Sequence, residues 1–178
     1  MTRVLVLYAS THGHTGKIAA RIAKAIGPAA ELRSIDAAPG LALTYDAVIV
    51  GASVHAGHHQ KAVRKWVHGH AAALNGMPSA FFSVCLSAAD DSDEARADAQ
   101  RYIDETLTEA GWKPRLVRSF AGALQYREYD VFTRLLIKLM MKHGGHPTDT
   151  SHDHDFTDWD AVERFGAECA ALAAVPAP

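Results

Sequence analysis

The chain has 178 residues, 48% of them apolar and 21% charged, which is enough for one domain with a buried core of its own. Its formal net charge of −2 excludes a strong general attraction to nucleic acid or to anionic membranes. Cys85 and Cys169 lack paired-ligand spacing, and neither an export signal nor a run of roughly 18 apolar residues is present, so we expect a cytoplasmic protein.

Strands and helices are predicted to alternate along the chain. Short, continuous apolar runs indicate strands buried on both faces, and apolar residues three and four apart indicate amphipathic helices. The long helix after the fourth strand is predicted to turn Ala97, Tyr102, Ile103 and Leu107 inward. In chain order the predicted elements are strand Val4–Tyr8, helix Gly16–Ile26, strand Glu31–Ile35, strand Asp46–Gly51, helix Lys61–Leu74, strand Ser79–Leu86, helix Asp93–Ala110, strand Arg115–Ala123 and helix Asp158–Ala173.

This alternation predicts an α/β fold with a parallel sheet between two layers of helices. Five such strands favour a doubly wound sheet of order 2-1-3-4-5, in a single domain spanning 1–178. An insert at about 126–157 separates the fifth strand from the last helix. It is long for a plain connection, so we expect it to be functional.

The loop after the first strand has the composition of a phosphate site. It carries hydroxyl groups at Ser10, Thr11 and Thr15 and a glycine at Gly13, at the start of the predicted first helix. Unpaired N–H groups and the positive end of a helix favour a phosphate there, and the loop contains no lysine or arginine. A monophosphate therefore fits better than ATP. The alternative is a helix N-cap without a ligand.

Loops rich in small residues follow three further strands, at the edge of the sheet where ligands bind in such folds. Small residues allow the backbone to approach a flat ring closely. We therefore predict that these loops clamp a ring. The residues concerned are Ala52, Ser53, Val54, His55, Gly57, Ser83, Val84, Cys85, Leu86, Ser87, Gly122, Ala123, Leu124, Gln125 and Tyr126.

The segment Ser10-Thr11-His12-Gly13-His14-Thr15 resembles the flavodoxin phosphate signature S/T-x-T-G-x-T. It departs from that signature at His12 and His14, where Thr and Asn are common. Most of the remaining chain resembles the flavodoxin-type, quinone-dependent protoporphyrinogen oxidases. The matching segments include Gly51-Ala52-Ser53, Asn75-Gly76-Met77-Pro78, Gly122-Ala123-Leu124-Gln125-Tyr126, Thr148-Asp149-Thr150 and Thr157-Asp158-Trp159.

The resemblance implies a flavodoxin-like fold with a helical insert after the fifth strand, and an FMN enzyme of heme biosynthesis. Such an enzyme oxidises protoporphyrinogen IX in three two-electron steps and passes the electrons to menaquinone or ubiquinone. It also implies that residues 10–15 hold the FMN phosphate and that the three other loops line the ribityl chain and the isoalloxazine. The alternatives are a flavodoxin electron carrier and an NAD(P)H:quinone reductase.

The insert contains a predicted helix at 131–143. Arg134, Lys138 and Lys142 fall four residues apart and form a basic stripe among apolar residues. Such a helix can bind the propionates of a porphyrinogen or lie peripherally on the inner face of the cytoplasmic membrane. The alternative is a packed helix with solvated cations.

Two histidines of the second loop, His55 and His58, are candidate proton acceptors. They are also compatible with ordinary surface positions. His152 and His154 alternate with Asp153 and Asp155, but this spacing is not a zinc signature, so we expect no metal. The net charge of −2 leads us to expect no nucleic-acid partner.

Overall fold

A computed structural model of the chain describes residues 2–37, 40–124 and 154–174. The strands are β1 (Val4–Tyr8), β2 (Ala30–Ser34), β3 (Ala47–His55), β4 (His58–His59), β5 (Ser79–Cys85), β6 (Leu116–Ala121), β7 (Ala123–Leu124) and β8 (His154–Asp155). The helices are α1 (His14–Ile26), α2 (Lys61–Asn75), α3 (Asp93–Ala110) and α4 (Trp159–Ala173), with single 3-10 turns at Ile35–Ala37 and Leu86–Ala89.

The main sheet confirms the predicted topology. Five parallel strands lie in the order β2-β1-β3-β5-β6, which is 2-1-3-4-5 when only these strands are counted. The short strand β4 pairs antiparallel with the end of β3, and β7 pairs with β8 in a separate two-stranded ribbon. The strand order reverses between β1 and β3, so a crevice for a ligand is expected at their carboxyl ends.

The sheet is buried on both faces because its central strands alternate apolar side chains between two cores. Leu5 and Leu7 of β1 join one core with residues of α2 and α3, while Val4 and Val6 join the other with residues of α1 and α4. The outer pair α1 and α4 packs closely at Gly166, where a Cβ would lie 2.6 Å from the Cβ of Ala25. The two layers together fix the edge of the sheet at which the strand ends meet.

The expectation for the inner face of α3 was wrong at one residue. Ile103 is buried as predicted and Tyr102 and Leu107 are partly buried, but Ala97 is exposed, and the helix also buries Ala99, Thr106 and Ala110. The polar residue on that face is Thr106, whose buried hydroxyl bonds to the imidazole of His59.

The predicted fifth strand is also interrupted. Its part in the main sheet ends at Ala121, and Ala123–Leu124 pairs with His154–Asp155 instead. The insert helix predicted at 131–143, with Arg134, Lys138 and Lys142, lies outside the described residues. So do Gln125, Tyr126, His152 and Asp153.

Candidate functional site

A cavity of about 230 Å³ opens at the carboxyl ends of β1, β3, β5 and β6. All four loops singled out in the sequence contribute to its wall. Its lining residues are Ser10, His12, His14, Thr15, Ser53, Val54, His55, Ala56, Val84, Cys85, Leu86, Gly122 and Ala123. The cavity therefore stands at the sheet edge where the strand order reverses.

The first wall is the loop that leads from β1 into α1. Gly13 adopts a left-handed conformation with a φ of 80°, which a glycine tolerates and which aims the chain directly into the helix. Since Gly13 precedes the helix and has no side chain, it cannot cap the N–H groups of the first turn. Thr15, only 2% exposed, adds a hydroxyl group to the cavity wall. This donor set suits an anionic phosphate group.

The second wall is a tight hairpin between β3 and β4. Ala56 and Gly57 form its two-residue turn, and both have positive φ values, 49° and 83°. A turn of this kind matches the twist of the flanking strands, although the left-handed conformation costs an alanine about 1–2 kcal/mol. The turn places His55 and Ala56 at the rim of the cavity.

Two imidazole rings face each other at that rim. The ring centroids of His12 and His55 lie 5.4 Å apart and the ring planes are tilted by 55°. Partial loss of hydration, together with the nearby His12, lowers the pKa of His55 below its ordinary value. His55 is therefore an unprotonated base at neutral pH. His58 is not among the lining residues, because it faces outward with Nδ1 3.6 Å from a carboxylate oxygen of Glu105.

The third wall contains a thiol held at the end of β5. Sγ of Cys85 lies 3.7 Å from Oγ of Ser119, and the side chain is buried. Burial raises the pKa of this thiol, so it stays protonated and is a poor nucleophile. Its contribution to the cavity is shape and a weak donor rather than covalent chemistry.

A polar cluster joins the phosphate loop to the chain on both sides of the insert. Nε2 of His14 lies 2.7 Å from Oγ1 of Thr157, whose hydroxyl donates to the carbonyl of Ala121. Because the Thr157 proton is used for Ala121, Nε2 of His14 is the donor in this pair. Burial lowers the pKa of His14, and this effect outweighs the opposing charge of Asp155. A neutral His14 therefore ties α1 to β6 and to the segment before α4.

Two residues next to the hairpin were missed by the sequence prediction. His59 is 2% exposed, and its two ring nitrogens lie 2.8 Å from the hydroxyls of Thr106 and Ser83. Burial lowers its pKa to about 4. The side chain of Gln60 contacts both Ser53 and Thr11. Only the period-two alternation of β4 could have separated buried His59 from exposed His58.

The remaining predicted residues occupy three kinds of position. Ala52 and Ser83 are buried in strands beneath the cavity, whereas Thr11, Gly13, Gly57 and Ser87 belong to its loops without lining it, and Leu124 lies in β7. Across residues 2–37, 40–124 and 154–174, no three metal-ligating side chains come together. Within the same ranges no helix is both long and apolar enough to cross a bilayer.

Comparison with known proteins gives two kinds of match by sequence. A family model described as a flavodoxin domain matches residues 5–151. A protein of Leishmania major named protoporphyrinogen IX dehydrogenase (quinone) is 39% identical over 175 residues, which cover 96% of this chain and 75% of that protein. A protein of Escherichia coli K12 with the same name is 35% identical over 178 residues, covering 98% of each chain.

Solved structures give the same fold at lower identity. A flavodoxin from the domain Archaea superposes with a TM-score of 0.56 at 19% identity, covering 97% of this chain and 99% of that one. Oxidised flavodoxin 1 from Bacillus cereus gives a TM-score of 0.57 at 19% identity, covering 96% and 98%. These likenesses confirm a flavodoxin-like fold.

Proposed function

The chain belongs to the flavodoxin-type, quinone-dependent protoporphyrinogen IX dehydrogenase family, and on that premise we propose that it oxidises protoporphyrinogen IX with a quinone as acceptor. A flavodoxin domain implies a flavin, which supplies the two-electron chemistry when bound. The observation that carries the proposal is the cavity at the β1/β3 reversal, which residues from all four strand-end loops line together.

The flavin that this site fits best is FMN. The start of α1 offers N–H groups, the helix dipole and the hydroxyls of Ser10 and Thr15, with no lysine or arginine in the loop. That donor set suits one phosphate. His12 and His14 replace the usual Thr and Asn without removing the backbone donors. Residues 10–15 would hold the phosphate, and the loops of β3, β5 and β6 would line the ribityl chain and ring.

The size of the cavity is compatible with a ring that keeps one edge accessible. Its volume of about 230 Å³ in the described residues is below the roughly 300–1,000 Å³ of pockets that enclose a whole ligand. An accessible edge would admit a bulky porphyrinogen and then a quinone in turn. Leu86, 37% exposed at the rim, offers an apolar contact to either.

His55 is our candidate for the proton acceptor. Each two-electron step removes two hydrogens from the porphyrinogen, equivalent to a hydride and a proton. A neutral imidazole at the rim can take that proton at Nδ1 or Nε2 and pass it to solvent. The lowered pKa of His55 keeps it unprotonated between turnovers. Its place in the cavity wall favours it over His58, which faces Glu105 outside the cavity.

The insert at about 126–157 is our candidate for binding the substrate propionates and the membrane surface. Arg134, Lys138 and Lys142 would pair with the propionates of the substrate or with an anionic membrane surface. Peripheral membrane contact through 131–143 would bring the site to a menaquinone or ubiquinone pool.

The test is an anaerobic titration of the purified protein with protoporphyrinogen IX, followed by its visible absorption. We expect a yellow protein that releases FMN on denaturation, bleaches on adding the porphyrinogen and recovers on adding quinone. Reduction by NADPH but not by the porphyrinogen would favour a quinone reductase. A colourless protein that takes up no added FMN would refute the cofactor assignment.

A further inference from the structure

The main sheet splits where the cavity begins. β1 ends at Tyr8, opposite Gly51, while β3 continues to His55. The amide of Ala9 donates to the carbonyl of Gly51 at 3.0 Å, and beyond this bond the chain turns away into the phosphate loop. Since peptide groups along a strand alternate sides, the N–H of Ser53 points to the same side as that of Gly51. It faces the space that β1 has left.

The side chain of Gln60 occupies that space. The N–H of Ser53 donates to Oε1 of Gln60 at 3.0 Å, so a side-chain amide replaces the missing backbone of β1. Nε2 of Gln60 donates to Oγ of Ser53 at 2.5 Å and to Oγ1 of Thr11 at 3.4 Å. One amide thus bonds to both loops that flank the crevice.

The backbone of Gln60 is itself held firmly. Its carbonyl accepts a bond from the N–H of Arg64 at 3.2 Å in the first turn of α2. The preceding residue, His59, is buried and bonded to Thr106 of α3 and Ser83 of β5. The amide therefore extends from a bonded backbone into the gap between Ser53 and Thr11.

We infer that Gln60 is a positioning residue that fixes the separation of the phosphate loop and the β3 loop, and so sets flavin affinity and potential. This rests on the proposed function, in which the flavin lies between those two loops. Gln60 itself does not line the cavity, so it acts through Ser53 and Thr11. Without its amide, the Ser53 N–H loses its partner and the two walls lose the hydrogen bonds that the Gln60 side chain makes between them.

The test compares Gln60→Met, which keeps the length of the side chain and removes the amide, with Gln60→Glu, which keeps an acceptor for the Ser53 N–H. Gln100→Ala is the matched control, because Gln100 is an exposed glutamine that bonds only to Asp104 on α3 among the bonds described. The readouts are the dissociation constant for FMN from fluorescence titration in 1 M salt and the midpoint potential of the bound flavin. High salt screens the added charge of the glutamate from the phosphate.

We expect Gln60→Met to weaken FMN binding about tenfold, which is the effect of losing one hydrogen-bonding group, and to shift the midpoint potential. Gln60→Glu should recover part of the loss, and Gln100→Ala should match the wild type. An FMN affinity and potential for Gln60→Met equal to those of the wild type would overturn the inference. So would an effect of equal size in Gln100→Ala.

The outcomes separate this inference from the proposed function. A wild type that binds FMN but does not oxidise the porphyrinogen would refute the function and leave the role of Gln60 intact. A wild type that binds no FMN would refute both. If Gln60→Met does not fold, Gln60→Ala takes its place, because it also removes the amide and should weaken FMN binding to a similar extent; an unchanged FMN affinity in that variant would overturn the inference.

Discussion

The buried imidazole of His59 predicts that the fold loses stability in mildly acidic solution. Burial is the largest cause of its lowered pKa, and the charges of Arg64 and His58 act in the same direction. Glu105 and the backbone of Tyr102 oppose them without reversing the shift. The folded state therefore resists a proton that the unfolded chain accepts.

The sign and size follow from proton linkage. Because the folded pKa of about 4 lies below the ordinary 6.5, the stability due to neutral His59 is complete above pH 6.5 and is lost as the pH falls towards 4. With a pKa of about 4 in the folded state and 6.5 in the unfolded state, lowering the pH from 8 to 5 reduces the free energy of unfolding by about 2 kcal/mol. The lowered pKa values of His14 and His55 add to the same trend in the wild type.

A substitution isolates the contribution of His59. Gln can bond to the hydroxyls of Thr106 and Ser83 but does not titrate, so His59→Gln should remove about 2 kcal/mol of the difference between pH 8 and pH 5. Urea unfolding of wild type and variant at both pH values, with FMN in excess, measures this. His68→Gln, an exposed histidine on α2, is the control. Parallel pH dependences for wild type and His59→Gln would refute the reasoning.

Three further changes test other parts of the molecule. Gly166→Ala should lower the free energy of unfolding, measured in urea, by about 1–3 kcal/mol. The added Cβ would lie 2.6 Å from the Cβ of Ala25 and 3.0 Å from the carbonyl oxygen of Ile22. The control is Gly69→Ala, which should be neutral or stabilising because nothing lies within 4 Å of its added Cβ. His14→Ala removes the 2.7 Å bond to Thr157 and should cost about 1 kcal/mol in thermal unfolding; an unchanged melting temperature would contradict the proposed tie between α1 and β6. Joint replacement of Arg134, Lys138 and Lys142 by Ala should raise KM for protoporphyrinogen or reduce vesicle binding while FMN stays bound. Unchanged kinetics and unchanged vesicle binding would contradict the binding role proposed for these three cations.

Elements with strong local signals were predicted accurately from the sequence. Helix α3 begins and ends where predicted because Oγ of Ser92 accepts from the N–H of Ala95 at 3.2 Å and Gly111 takes a left-handed conformation with a φ of 66°. β1 matches residue for residue because its apolar run is buried on both faces. Helix caps and buried strands depend on residues that lie close together along the chain, so they can be recognised from a single sequence.

Features set by distant partners were not predictable in this way. Apolar character places Ala97 on the inner face of α3, but the structure exposes Ala97 and buries Thr106, whose hydroxyl bonds to a histidine from another element. The sequence pattern ends this strand at Gly51 rather than at His55, because the turn that follows uses Ala56 and Gly57, without the Asn-Gly or Asp-Gly pair that marks such hairpins.

The missed hairpin also explains why the site was only partly predicted. Antiparallel pairing of Val54 with His59 and of His55 with His58 turns neighbouring histidines to opposite faces, so one becomes buried and the other reaches solvent. The same pairing delivers the next residue, Gln60, to the gap beside Ser53. Whether that gap exists depends on where β1 ends relative to β3, which is a property of the assembled sheet. The four loops could be found from composition because each follows a strand, but the amide that joins two of them could be found only in three dimensions.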